Sequence, residues 1–337
     1  MSSTDAKTRL VPRFTTPTAD QVRSILRESH ALWGAGLSLG DYVAMWEELA
    51  ESPWGRACYA WRALVDDEGH VLSSLKLYRP MLRLDGAPVR VCAIGAVFTP
   101  RRLRRRGLAA MLIRECLDEA ERRGDGAALL FTDIGTEYYR ALGFVALPCE
   151  DVVGSLSGAS LDKAARGTTL RAMTHDDLPQ VGRAHDLGCA HRPIAVLRDR
   201  AHWEFLLLRA GTFFSRLDHS DLARRFMIAV ESGHPVGYLV GVIGPGEWNL
   251  REARAFDGDP ATLGRILAAG AAEAAAASAS TVWGWIPRDL WPAVPAWRLR
   301  SQPRLRAIPM LRPLGGRAFP ERLADVESAF IPYLDQF

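Results

Sequence analysis

The chain has 337 residues, 48% of them apolar and 24% charged, which excludes a disordered protein and leaves room for two domain-sized cores. Its formal net charge of +3 is too small to commit the whole molecule to nucleic acid or to an anionic membrane, so neither partner is expected. Cys58, Cys92, Cys116, Cys149 and Cys189 form no paired-Cys motif, the N-terminal stretch lacks an apolar core, and no segment reaches the ~20 apolar residues of a membrane span; together these predict reduced thiols in a cytoplasmic protein.

Val22, Ile25, Leu26 and Leu32 recur at helical spacing and predict a helix over 20–32 that ends at Trp33-Gly34, followed by a second helix over 41–49. Four β-like runs come next, at 61–65, 71–77, 80–84 and 89–98. Turn signals at Asp66-Asp67-Glu68-Gly69 and Asp85-Gly86 separate them into an antiparallel meander. After Gly107 the period becomes helical, with Leu108, Met111, Leu112, Cys116 and Ala120 on one face and Gly124 as the stop. A buried strand at 127–132 and a short helix at 137–142 close this half.

The small, polar stretch 154–167 is expected to be a linker. Beyond it the order repeats: helices near 176–186 and 198–208, a hairpin over 226–243 turning at Ser232-Gly233-His234, a strand near 250–256, and an Ala-rich helix over 262–277. The expected division is a catalytic domain at 1–150, a linker at 151–167, a second domain at 168–314, and a C-terminal helix and tail at 315–337. Trp203, Trp248, Trp283, Trp285, Trp291 and Trp297 are expected mostly as core packing of the second half.

The chemistry concentrates where strand 91–98 runs into Thr99-Pro100, an arginine-rich loop, and Gly107-Leu108-Ala109 at a helix start. A helix N-terminus offers unpaired N–H groups and the positive end of the macrodipole, and small residues let a phosphate oxygen approach the backbone. Arg104, Arg105 and Arg106 add forked donors, so the segment suits a pyrophosphate or an adenosine 3′-phosphate.

These residues resemble the GNAT acetyltransferase superfamily. Arg104-Arg105-Arg106-Gly107-Leu108-Ala109 is similar to its Arg/Gln-x-x-Gly-x-Gly/Ala signature, and Tyr138-Tyr139-Arg140-Ala141-Leu142-Gly143-Phe144 to its aromatic-Tyr-x-x-x-Gly-Phe segment. The resemblance implies an α+β chain of tandem GNAT folds, each a mixed central sheet flanked by helices, with acetyl-CoA as co-substrate. It places the cofactor in a splay between two parallel strands, against Val97, Phe98, Thr99, Arg104, Arg105, Arg106, Gly107, Leu108, Ala109, Ala110, Ile134 and Gly135. It also implies that Tyr139 protonates the departing thiolate. Many members carry a glutamate on the strand before the signature, but 91–98 holds no carboxylate. The base is therefore expected at Asp133, at Glu137 or, as in some tandem relatives, at the terminal carboxylate of Phe337.

Leu32-Trp33-Gly34, Leu37-Ser38-Leu39, Tyr42, Val97-Phe98-Thr99-Pro100 and Leu130-Phe131-Thr132-Asp133-Ile134-Gly135 resemble fungal lysine N6-acetyltransferases and imply a lysine-like amine as acceptor. The tandem layout also resembles bacterial aminoglycoside acetyltransferases, so an aminoglycoside or polyamine is the alternative. An alternative of another class is a non-catalytic acyl-CoA sensor or scaffold. The second copy looks degenerate: its equivalent loop, Phe256-Asp257-Gly258-Asp259-Pro260, carries carboxylates that would repel a pyrophosphate, and no cofactor is expected there. The histidines show no metal-ligand spacing, and no metal is expected.

Overall fold

The computed structural model describes residues 11–156, 165–217, 223–284, 286–318 and 329–336. In the first half, β1 (Arg13–Thr15) precedes three helices, α1 (Ala19–Trp33), α2 (Leu39–Glu51) and α3 (Pro53–Cys58). Strands β2 (Tyr59–Val65), β3 (Val71–Tyr78), β4 (Met81–Leu84) and β5 (Ala87–Phe98) then lead to α4 (Leu108–Arg123), β6 (Ala127–Thr132), α5 (Glu137–Arg140) and β7 (Val145–Ala146). The helix starts follow local chemistry. Thr18 and Gln21 form a reciprocal capping box on α1, and Ser38 caps α2 through the Asp41 N–H.

β2, β3 and β5 pair antiparallel, as a meander requires. β4 does not sit between β3 and β5; both β3 and β4 line one edge of β5, with Pro80, which has no N–H to donate, at the break between them. On its other edge β5 pairs parallel with β6. Alternate residues face opposite sides of this sheet. Tyr78, Val91, Ala93 and Leu129 pack beneath Leu26, Tyr42, Met45 and Leu49 of α1 and α2. Leu75, Leu77, Cys92, Ile94 and Leu130 pack against Leu108, Leu112, Ile113 and Cys116 of α4.

The second half repeats the plan. β8 (Glu150–Ser155) and β9 (Thr169–Ala172) precede α6 (Leu178–Cys189), β10 (Ile194–Leu197) and α7 (Arg200–Phe214). Then come the hairpin β11 (Ala223–Glu231) and β12 (His234–Gly244), β13 (Glu247–Ala255), α8 (Pro260–Ala276) and β14 (Thr281–Gly284). β13 and β14 are the parallel pair equivalent to β5 and β6. The chain ends through β15 (Arg300–Pro303), β16 (Ile308–Pro313) and β17 (Ala329–Phe330). Trp203, Trp248 and Trp297 are core residues as expected, Trp283 and Trp291 are half-buried, and Trp285 lies outside the described residues.

Strand pairing cuts across the sequential division into domains. β16 inserts antiparallel between β6 and β7 of the first sheet, while β8 and β15 extend the second sheet beyond β14. Each half therefore lends the other a strand. The linker expected over 151–167 begins as β8; Val152 and Gly154, on one face of that strand, are buried, Val152 in the second core. Residues 157–164 lie outside the described residues. β10 pairs with β4 and with β17, adding a further seam between the halves. The amphipathic helix expected over 321–330 falls mostly outside the described residues.

Candidate active site

Pairing between β5 and β6 runs from Val91–Ala127 to Ile94–Leu130 and stops there. β5 continues to Phe98 along β3, and β6 continues to Thr132 along β16, so their facing edges diverge with backbone groups unpaired by each other. The divergence has a local cause. Ser74 opposes Phe98 and Lys76 opposes Gly95, which leaves Ala96 and Val97 against one residue of β3, and Ala96 adopts φ +47°. This is a β-bulge, which bends its strand and redirects side chains. Ser73 Oγ donates to the Phe98 carbonyl at 3.0 Å and lies 3.0 Å from Thr99 Oγ1, fixing the end of the strand.

The loop that follows is bound to the strand end by Arg104 Nε, which donates to the Thr99 carbonyl at 3.0 Å. Arg105 (φ +63°) and Gly107 (φ +77°) are both left-handed, whereas Arg106 is not. Alternating handedness folds successive N–H groups into an anion-binding concavity. Gly107 is the N-cap of α4 and supplies no side-chain cap, so the first N–H groups of the helix are left for another acceptor. A Cβ on Gly107 would meet no protein atom within 4 Å: the space above it is open. Arg104, Arg105 and Arg106 are exposed around it.

The equivalent helix start in the second half is already occupied. Asp259 caps α8 by accepting from the Thr262 N–H at 2.9 Å, and Thr262 Oγ1 donates to Asp257 at 3.0 Å. The protein's own carboxylates take the positive end of that helix.

Across the splay, Gly135 (φ +88°) turns the chain after β6, and Thr132 Oγ1 donates to its carbonyl at 3.0 Å. Ile134 is 74% exposed, an apolar side chain held out at the strand end. Tyr139, on α5, is buried on the α4 side of the sheet beside Phe144, with ring centroids 6.2 Å apart. Its hydroxyl makes no hydrogen bond among the described residues. Burial first, then the neighbouring Tyr138 and Asp133, push its pKa up to about 12. The phenol therefore stays protonated at neutral pH and has an O–H to donate.

Asp133 is engaged elsewhere: its Oδ1 accepts from the Ala307 N–H at 2.7 Å, just before β16. Glu137 pairs with Arg140 at 2.8 Å on the exposed face of α5. Phe337 lies outside the described residues; nearby in sequence, the carbonyls of Leu334 and Gln336 accept from buried Arg209 of α7. Sequence reasoning passed over Lys76, a lone charged residue in the strand Val71–Tyr78. It is 2% exposed and enclosed by Tyr42, Trp46 and Trp61. Among the described residues no group of His, Cys, Asp and Glu could hold a metal ion, and no helix is long and apolar enough to cross a membrane.

Comparison with known proteins agrees with this architecture. Residues 23–146 match the family described as acetyltransferase (GNAT) domain. No curated protein matches the chain in sequence. Among solved structures, a GCN5-related N-acetyltransferase from Anabaena variabilis superposes with a TM-score of 0.67 at 14% identity, covering 90% of this chain and 72% of that one. A GCN5-related N-acetyltransferase from Kribbella flavida gives 0.62 at 18% identity, with 90% and 71% covered. A probable N-acyltransferase from Enterococcus faecalis gives 0.64 at 15%, with 91% and 73% covered. The fold is that of the GNAT enzymes, and both sheets take part in the likeness. The family match falls on the first half of the chain, where the first sheet and α4 lie.

Proposed function

We propose that the protein transfers an acetyl group from acetyl-CoA directly to a primary amine of a small molecule, a lysine-like amino acid in the first instance. The observation that carries this reading is the coincidence of three features. The splay beyond Ile94–Leu130, the N–H concavity at Arg105–Gly107, and the open space over Gly107 all meet at the uncapped start of α4.

In this reading the pyrophosphate rests on the N–H groups of Gly107 to Ala110, with Arg104, Arg105 and Arg106 supplying charge. The pantetheine arm lies along Val97, Phe98 and Thr99, using the backbone groups that β6 leaves unpaired, and Ile134 and Gly135 flank it on the opposite strand end. Backbone N–H groups at the bulge would steady the developing oxyanion. Tyr139 donates a hydrogen bond to the departing sulfur. Because a phenol near pKa 12 is a weaker acid than a thiol, that donation completes as proton transfer only when charge builds on sulfur. The fungal lysine resemblance at Leu32-Trp33-Gly34 and Leu130 to Gly135 supports a lysine-like acceptor, with aminoglycoside and polyamine as the other amines to compare.

The test is thiol release from acetyl-CoA with L-lysine, a polyamine or an aminoglycoside, each against a control without amine. Amine-dependent release is expected. Cofactor binding without release from any of them would replace the transferase by an acyl-CoA sensor.

A further inference from the structure

Transfer to an amine leaves a proton on nitrogen, and β5 carries no carboxylate at the strand end to take it. None occurs from Val91 to Phe98, and Asp133 holds the Ala307 N–H. One ionisable side chain stands beside the bulge. Lys76 opposes Gly95 on β3 and projects on the α1–α2 side of the sheet, since Nζ lies 2.8 Å from the centre of the Trp46 ring. Trp61 of β2 is 5.2 Å and Tyr42 of α2 is 5.9 Å from the same atom. Tyr59 stacks on Trp46 at 5.7 Å and Tyr78 lies beside it at 5.2 Å.

This surrounding is built for an uncharged amine. Among the described residues Lys76 has no ion pair, and the charged group that reaches it, Arg209 of α7, has the same sign. The acidic residues of α2 are engaged with arginines instead: Asp41 and Glu48 with Arg216, Glu47 with Arg23 and Glu51 with Arg56. Burial, reinforced by Arg209, holds the Lys76 pKa well below its ordinary 10.5. The box also carries unused polar atoms: Tyr42 Oη, Trp46 Nε1 and Tyr59 Oη are buried without a hydrogen-bond partner. Unsatisfied polar groups around an unpaired lysine mark a functional pocket more readily than a packed core.

We propose that Lys76, as the free amine, is the proton acceptor of the transfer, in the position that other active sites give to a carboxylate. The inference rests on the acetyltransferase reading above. The acceptor, entering as the neutral amine, forms its bond to the acetyl carbon through its lone pair, and the C–S bond of the thioester breaks. The proton on the new amide nitrogen passes to Lys76 Nζ, and the sulfur takes its proton from Tyr139. Lys76 then loses its proton to solvent, and Tyr139 regains one.

The test compares wild-type protein with Lys76→Met, Lys76→Arg and Lys76→His across pH, measuring kcat, acetyl-CoA affinity and unfolding midpoint. Lys76→Met should lose about 10²-fold or more in kcat with cofactor affinity intact. It should be at least as stable as wild type at neutral pH, because a buried amine has been replaced by an apolar chain. Lys76→Arg, unable to release its proton, should be equally slow. Lys76→His should recover part of the rate, with an acidic limb at the imidazole pKa in place of the wild-type limb. A Lys76→Met protein that keeps the wild-type kcat and pH profile overturns the role of Lys76 and leaves the transferase standing. A wild-type protein that releases no thiol with any amine overturns both.

Discussion

Asp133 Oδ1 accepts a hydrogen bond from the backbone N–H of Ala307 at 2.7 Å, joining the end of β6 to the chain that enters β16. A carboxylate beside the β5–β6 splay thus serves the seam between the two halves. Replacing Asp133 by Ala should cost about 1–2 kcal/mol of stability, the worth of one part-buried hydrogen bond, and leave kcat within a few-fold of wild type. Denaturant midpoints and initial rates check this. A kcat lowered by two orders of magnitude in a folded protein would return Asp133 to the chemistry.

Tyr139→Phe removes a hydroxyl that has no partner among the described residues. Unfolding should therefore be unchanged, while kcat falls by about 10²–10⁴-fold and acetyl-CoA affinity stays near wild type. With its pKa held up at about 12, Tyr139 should produce no alkaline limb in the wild-type rate profile below about pH 11. Unchanged turnover would take Tyr139 out of the mechanism.

Gly107→Val tests the cradle. No protein atom lies within 4 Å of the added Cβ, so packing is undisturbed, but φ +77° is strained for a branched residue and the side chain enters the space assigned to phosphate. The dissociation constant for acetyl-CoA, measured by calorimetry, should rise at least tenfold. Retained affinity would place the phosphates elsewhere.

Arg198 carries the heaviest electrostatic burden in the molecule. It pairs with Asp335 at 2.6 and 2.9 Å and with Glu252 at 2.9 Å, all fully buried, while Tyr238 Oη donates to Glu252 at 2.5 Å and His185 Nδ1 lies 2.8 Å from it. Asp335→Ala leaves the guanidinium short of one counter-charge and should destabilise the protein by about 3–5 kcal/mol, read from denaturant unfolding.

The same network gives stability a pH dependence. Burial and Arg198 oppose protonation of His185, yet Glu252 and Cys189 outweigh them and hold its pKa up at about 10, above the ordinary 6.5. Its stabilisation is complete below pH 6.5 and is lost as pH rises towards 10. Lys76 acts in the opposite sense: the unfolded chain binds the extra proton, so stability rises with pH from its lowered pKa up to 10.5. Wild type should therefore show a shallow profile, His185→Gln a rising one and Lys76→Met a falling one. Identical slopes in all three would sink this assignment.

Much of the architecture was legible because it is written locally. Strand 127–132 and the helix from Leu108 to Gly124 follow from an apolar run and an apolar stripe that ends at glycine, and both occur as expected. The turn before α4 was readable for the same reason, since its positive φ falls on Gly107. The strand exchange was not. β8 and β16 are short, and nothing in their own residues says which of two similar sheets each will join; that choice depends on edges formed far away in sequence. Lys76 was missed because a lysine in a strand is ordinarily a surface residue. Only the packing of Tyr42, Trp46 and Trp61 over that face reveals it as interior.

The insertion of β16 between β6 and β7 also sets a schedule for the growing chain. Until residue 313 has been synthesised, the edge of β6 that β16 covers, Ala127 to Thr132, remains an open template of apolar strand. The first sheet is thus translated well before the strand that seals it, which makes the nascent chain vulnerable to edge-to-edge association throughout that interval. A fragment cut after residue 150 would inherit that exposed edge permanently.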